Sequence, residues 1–289
     1  MTVEEVTWDY STGSVIRKTP SGDPLNAPKT IFRRYQDAAF TQPITSDPRL
    51  GWLGPMIRAE VGETIVIHLN NRASHSQKWT LEAPFGPLTD QLMVPNNTTI
   101  VHIKVPLDAL KTSGQPLGDR SAPYLYSTNT SAEGLLLVYD KGILDELHHP
   151  HSAFFDQEMP VVFGNRDRFN INGFAHNVSP QLTFERTMRI RWYLMSTVSK
   201  PYNDRVYPDA HSAHWHGNTV LWKGHRVDVV DLLPKVGQVA DMQPDNLGSW
   251  LFHCHVSEHM QGGMSIKYEV TEGWAWQEGD EGDENAEGG

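Results

Sequence analysis

Two short windows hold most of the side chains in this sequence that could do chemistry. The stretch WLFHCHVSEHMQGGM, residues 250–264, contains His253, the sole cysteine Cys254, His255, His259 and Met264. The stretch HSAHWHG, residues 211–217, adds His211, His214 and His216. Imidazole, thiolate and thioether groups are ligands for soft and borderline metal ions. If LFHCH is extended, its side chains alternate between two faces. His253 and His255 then point one way and Cys254 the other. In HSAHWHG, His214 and His216 share a face and Trp215 turns away. His211, three residues earlier, is placed in a loop. The residues thus sort into two sets. One is His211, Cys254, His259 and Met264. The other is His214, His216, His253 and His255.

The first set has two imidazoles, a thiolate and a thioether. That suits a type 1 copper, whose plane is two His and one Cys with a weak axial Met. The sulfur ligands stabilise Cu(I), which makes one-electron cycling accessible. Zinc is the rival ion, but zinc sites of this kind use more cysteines and seldom a methionine. The second set has no sulfur and suits copper that binds oxygen or a small oxyanion. The two sets meet at Cys254, whose chain neighbours are His253 and His255. An electron at the first set has a covalent route of a few bonds to the second. Chance clustering of core residues is the bland alternative.

Such ligands need rigid strands to place them, and the strand signal is strong. Ile65, Ile67 and Leu69 alternate with polar residues, as do Val101, Ile103 and Val105. Met188, Ile190, Trp192 and Leu194 share one face of another run. EGLLLVYDKG reads as a strand buried on both sides. No long segment shows clean helical periodicity. The class is therefore all-β, built as sandwich or Greek-key domains. A break falls near residues 140–160, giving domains at 1–145 and 155–272. The acidic, Gly-rich end, 273–289, reads as a disordered tail. His148, His149 and His151, near the break, read as a solvated linker.

The bulk properties exclude several functions. The formal net charge is −11 and the basic residues are scattered, which argues against nucleic acid. No apolar run is long enough to span a bilayer. A single cysteine allows no internal disulfide. The N-terminus lacks the basic and apolar regions of a signal peptide. Sequons begin at Asn96, Asn97, Asn129 and Asn177, which a secreted protein could glycosylate.

HSAHWHG followed by HCHVSEHMQGGM resembles the copper signature of the multicopper oxidases, whose domains are cupredoxins. VTWDYS, IFRRYQDAAF, LGWLGPMIRAEVGETIVIHLNN, RFNINGF and RIRWYLM extend the resemblance to the branch of ceruloplasmin, hephaestin and the clotting-cofactor A domains. It covers nearly the whole chain except the tail. It implies two cupredoxin-like Greek-key sandwiches, copper as cofactor and an extracellular setting. It also implies an oxidoreductase. Type 1 copper at His211, Cys254, His259 and Met264 would accept an electron from a small-molecule or metal-ion donor. His253, Cys254 and His255 would pass it to copper on the His214/His216 side, with dioxygen as acceptor.

The pattern is broken in one place. The family's trinuclear copper cluster takes two H-x-H pairs from each of two domains. In the first half those positions align with Glu82 and Pro84, and with Ser127 and Asn129. By family analogy, one ion would keep only His214, a second only His255, and a third His216 and His253. Glu82, Asn129 or His75 of a neighbouring copy could add a ligand, as in a homotrimer, or a partner chain could complete the site. On the donor side, Asp228 is the one clear acidic survivor of the ferroxidase iron site, whose other positions fall at Gly164 and Phe169. Two further roles stay open. One is an electron-transfer or copper-binding protein with type 1 copper alone. The other is a non-catalytic interaction protein like the clotting-cofactor A domains.

Overall fold

The computed structural model describes residues 1–16, 26–83, 88–112, 120–164, 168–178, 182–197 and 210–273. Its regular structure is almost all strand. The alternating runs become strands because their branched and aromatic residues fit a pleated surface with one face buried. Two β-sandwiches result.

In the first, one sheet joins Thr2–Asp9, Ser14–Ile16, Asn26–Arg33, Thr64–Asn71 and Thr98–Lys104. Its partner runs Ile57–Glu60, Glu133–Tyr139, Ser121–Thr128, Gln77–Glu82, Leu88–Met93. Ile67, Leu69, Val101 and Ile103 of one sheet meet Trp79, Leu81, Tyr124 and Tyr126 of the other. In the second sandwich, a six-stranded sheet includes Gln157–Gly164, Ile190–Ser196 and Gln238–Met242. It faces a sheet ordered Thr183–Glu185, Ser265–Thr271, Gly248–Cys254, His211–Trp215, Val229–Leu232. Trp192 and Leu194 pack there against Trp215, Phe252, Cys254 and Ile266.

A third apolar cluster joins the two sandwiches. Leu125, Leu135, Leu137 and Tyr139 of the first meet Val162, Tyr193, Met195 and Val239 of the second. The first sandwich therefore buries both faces of Glu133–Tyr139, and every residue of that strand is buried. This matches the unbroken apolar run read from the sequence.

His148, His149 and His151 are exposed, and the His148 ring lies 3.3 Å from the Glu63 carboxylate. They join no group of metal-ligand side chains among the described residues. Beyond Gly273, the expected tail lies outside the described residues. No helix among the described residues is long and apolar enough to cross a membrane.

Candidate metal centre

The site is built on two adjacent strands of the second sandwich. His211–Trp215 and Gly248–Cys254 run antiparallel, with Ala213 opposite Cys254 and His214 opposite His253. Strand alternation then sends neighbouring residues to opposite faces. One correction to the sequence reading concerns His211. It is the first residue of its strand, not part of a loop, and it shares the inward face with Ala213 and Trp215. The period of two therefore runs from His211 through Trp215.

On the inward face, Cys254 Sγ lies 3.6 Å from His211 Nδ1 and 3.5 Å from His259 Nδ1. The two Nδ1 atoms are 3.1 Å apart. His259 comes from a one-turn helix, Ser257–Gln261. Met264 closes that turn: its N–H donates to the His259 carbonyl, and its own carbonyl accepts from Cys254 N–H. All four side chains are buried to within about one per cent. Bonds of about 2.0 Å to nitrogen and 2.3 Å to sulfur in near-tetrahedral geometry space such ligand atoms by roughly 3.3–3.6 Å. The two sulfur–nitrogen edges have those dimensions, and the nitrogen–nitrogen edge is shorter.

Its electrostatics keep the nitrogens available. Burial pushes the His211 pKa down to about 3, with the charge of His259 adding to the effect. Burial also lowers His259 and raises the Cys254 thiol. The buried imidazole nitrogens and the buried sulfur converge closely enough for a cation to bridge them. A bound cation would require the Cys254 thiol to lose its proton, and the thiolate would offset part of the ion's charge. His211 Nε2 and His259 Nε2 are buried without a hydrogen-bond partner, so the polar contacts of both rings are made through Nδ1, toward Cys254 Sγ and each other.

On the other face, His253 Nε2 lies 3.1 Å from His214 Nδ1 and 3.0 Å from His216 Nε2. Three ligand atoms, one from each residue, fall within 4.8 Å of one another. His255 is exposed and lies outside that group of three ligand atoms, although its ring centroid is 4.8 Å from that of His214, as near as the His253 ring at 4.9 Å. His253 is fixed by its Nδ1–H, which donates to the Cys254 carbonyl at 2.8 Å. Burial first, then the neighbouring histidines, lowers the pKa of His214; burial leads the lowering of His253.

Asp228 is a second correction. It was expected on the donor side of the sulfur-containing set. Its carboxylate lies instead on the all-histidine face, 3.8 Å from His214 Nε2. The reason is local: its carbonyl accepts the Trp215 N–H, which pins it beside the outward side of that strand. Near His259 the structure places Phe169, whose ring stacks on the imidazole at 4.7 Å between centroids. No alternation pattern could have revealed that contact. Gly164 lies against Asn170.

The first sandwich shows what this architecture looks like without metal. There Trp79 pairs with Thr128 and Thr80 with Ser127. Asn129 N–H donates to Lys78 O just as His255 N–H donates to Ser212 O. By register, Thr80 and Glu82 therefore correspond to His214 and His216, and Ser127 and Asn129 to His253 and His255. This moves the first pair from Glu82 and Pro84; Pro84 lies outside the described residues. Gln77 and Thr128 take the places of His211 and Cys254. Thr130 donates to Gln77 Oε1 at 2.6 Å and lies 2.9 Å from Thr128 Oγ1. A closed hydrogen-bond network stands where the other half converges metal ligands.

The three side chains expected to reach into a neighbouring copy are already engaged. Glu82 pairs with Lys235 at 2.7 Å. Asn129 Oδ1 accepts from Lys78 N–H at 2.7 Å. His75 lies 3.2 Å from Glu5 and 3.1 Å from Gln77.

Paired β-sandwiches with a buried His–Cys–His triangle backed by a histidine cluster define a cupredoxin-like fold with two side-chain groups that could hold metal. Comparison with known proteins narrows this: residues 155–273 match the family model described as multicopper oxidase. Ferroxidase HEPHL1 of Homo sapiens is 28% identical over 289 residues, covering 84% of this chain and 25% of that protein. Ceruloplasmin of Homo sapiens is 25% identical, with 84% and 28% covered. Coagulation factor VIII of Canis lupus familiaris is 26% identical, with 91% and 13% covered. The chain thus spans about a quarter of the length of HEPHL1 and of ceruloplasmin. A solved multicopper oxidase shares the fold with TM-score 0.56 at 17% identity, over 75% of this chain and 78% of that one. The second half matches the multicopper oxidase family model, and the chain as a whole resembles hephaestin and ceruloplasmin. Copper is the ion that the donor set fits.

Proposed function

We propose that this chain is a copper-dependent oxidoreductase of the multicopper oxidase type. His211, Cys254, His259 and Met264 would hold type 1 copper, which when bound supplies one-electron redox chemistry. The observation that carries the reading is the Cys254 triangle lying back to back with the histidine cluster across one strand. Cys254 is both a ligand residue on one face and the chain neighbour of His253 on the other. The hydrogen bond from His253 Nδ1 to the Cys254 carbonyl adds a second link. The protein's part is to hold the ligands in place before the ion arrives, to keep the imidazoles unprotonated, and to exclude water from the sulfur. A small-molecule or metal-ion donor would deliver electrons near His259, and dioxygen is the proposed acceptor.

The test is oxygen uptake by the copper-loaded protein with a phenolic or ferrous donor, followed with the blue absorbance. Bleaching by donor and recovery in air, with oxygen consumed, is the expected outcome. A blue protein that cycles with a chemical oxidant but never consumes oxygen would leave an electron-transfer role. One observation favours that second reading: the first sandwich supplies no imidazole at Thr80, Glu82, Ser127 or Asn129.

A further inference from the structure

The turn that carries His259 lies beneath two rings. His259 is fully buried, and its Nε2 has no hydrogen-bond partner. A donor therefore cannot touch this imidazole directly. Over it lies Phe169, whose ring stacks on it at 4.7 Å and 28° and which is itself partly exposed. Gly262 makes room for that ring. Its φ is −74°, which any residue adopts, yet a Cβ there would meet Phe169 Cδ2 at 2.1 Å. The next residue, Gly263, makes room in the same way for His176, whose Nε2 would lie 2.7 Å from a Cβ. Adjacent Cα atoms are about 3.8 Å apart, so Phe169 and His176 cover neighbouring points of one turn.

His176 is held there on strained backbone. It and Asn177 have φ of 55° and 66°, two left-handed residues in succession. His176 N–H donates to the Gly263 carbonyl at 2.8 Å, and Asn177 N–H donates to the Ser265 carbonyl at 3.0 Å. Those bonds fix where the imidazole stands. The residue is nevertheless exposed, and its ring has no hydrogen-bond or ionic partner among the described residues. Strain of this kind persists only where the surroundings over-determine it, and it gathers at functional sites.

We propose that Phe169 and His176 form the electron-entry site of this chain and that its donors are phenols. The electron's destination rests on the type 1 copper reading above; the binding of the phenol does not. The donor's ring packs on Phe169, offset or edge to face. Its hydroxyl donates to a ring nitrogen of His176. In the transfer the phenol O–H bond breaks. One electron passes by way of Phe169 and His259 to the copper, taking Cu(II) to Cu(I). The proton goes to His176, and a phenoxyl radical leaves. A phenol that has lost an electron is a strong acid, so a base within hydrogen-bond reach lowers the barrier. A metal-ion donor finds no comparable seat. Among the described residues, the groups of three metal-ligating side chains are the two already placed on opposite faces of Gly248–Cys254.

The copper-free chain separates binding from redox chemistry. Phenol should shift the His176 ring proton resonances saturably. Phe169→Leu should weaken that binding by roughly three- to tenfold. Gly262→Ala displaces the ring while leaving Phe169 intact and should do likewise, so a folding defect in one variant does not decide the result. The second readout is the rate of anaerobic bleaching of the copper-loaded chain. His176→Asn tolerates the left-handed backbone and can accept a hydrogen bond, but it cannot hold the proton. It should slow bleaching by phenol at least about a hundredfold, and bleaching by hexacyanoferrate(II), which has no proton to lose, by less than about twofold. The proposal is overturned if phenol does not saturate the copper-free chain, if neither Phe169→Leu nor Gly262→Ala weakens it, or if His176→Asn slows both donors alike. Saturable phenol binding by a chain that never turns blue with copper would refute the type 1 reading and leave the phenol site standing.

Discussion

At the scale of single residues, burial decides what each ligand can do. His211 is almost fully buried, and its folded-state pKa is about 3 against an ordinary 6.5. The unfolded chain therefore takes up a proton between those values that the folded chain refuses. Stability of the metal-free protein should be fully present above about pH 6.5 and should fall as pH drops through that window toward 3. His259 is shifted in the same direction and adds to the slope. Denaturant unfolding of the metal-free protein at pH 7 and pH 5 checks this, with the lower midpoint expected at pH 5. His211→Gln copies the first sandwich, where Gln77 occupies the matching place, and should flatten the dependence. An equal midpoint at both pH values would mean that His211 is not held neutral. Metal binding sharpens the same trend, because a bound ion needs both imidazoles and the thiolate free of protons.

At the scale of strands, one backbone feature holds the outward cluster in register. Gly217 follows His216 with φ +74°, and a Cβ there would meet the Trp250 ring at 2.1 Å. Gly217→Ala should cost roughly 1–3 kcal/mol, because the residue must adopt a left-handed conformation and its Cβ would have to displace the Trp250 ring. It should weaken metal binding at His216 more than at Cys254, which thermal melts and copper titration would separate. Unchanged melting would show that Trp250 can move aside. The strand alternation that divides the ligands into two faces was legible from the sequence, since a period of two needs nothing beyond the chain itself. The same holds for Ile65, Ile67 and Leu69 and for Met188, Ile190, Trp192 and Leu194, all of which face the cores as their spacing predicts. What was not legible depends on neighbouring strands. The placement of Asp228 follows from its pairing beside Trp215, and the match of Thr80 with His214 follows from ladder register. Phe169 reaches His259 across a loop, and no local pattern marks such a contact.

At the scale of the whole molecule, the two sandwiches behave as one packed body because polar groups as well as apolar ones cross between them. Arg58 of the first sandwich pairs with Glu158 of the second at 2.7 Å, both nearly buried. The Tyr139 hydroxyl also donates to Glu158, and Tyr193 donates to Ser121 at 2.9 Å. Around these lies the apolar cluster of Leu125, Leu137, Val162 and Met195. A buried pair of this kind contributes modestly while intact but is costly to break, since the remaining charge stays desolvated. Glu158→Ala should therefore destabilise the protein by about 3–5 kcal/mol, with Arg58 left unpaired beneath Tyr139. Removing both charges, as Arg58→Met with Glu158→Leu, should recover most of that loss. The unaltered chain should unfold in one transition seen alike by tryptophan fluorescence and, in the copper-loaded protein, by loss of blue absorbance. In Glu158→Ala the first sandwich should melt earlier, because only the second is braced by metal. Coincident transitions in both proteins, with no loss in the single variant, would show that the apolar cluster alone joins the halves and that the ion pair is incidental.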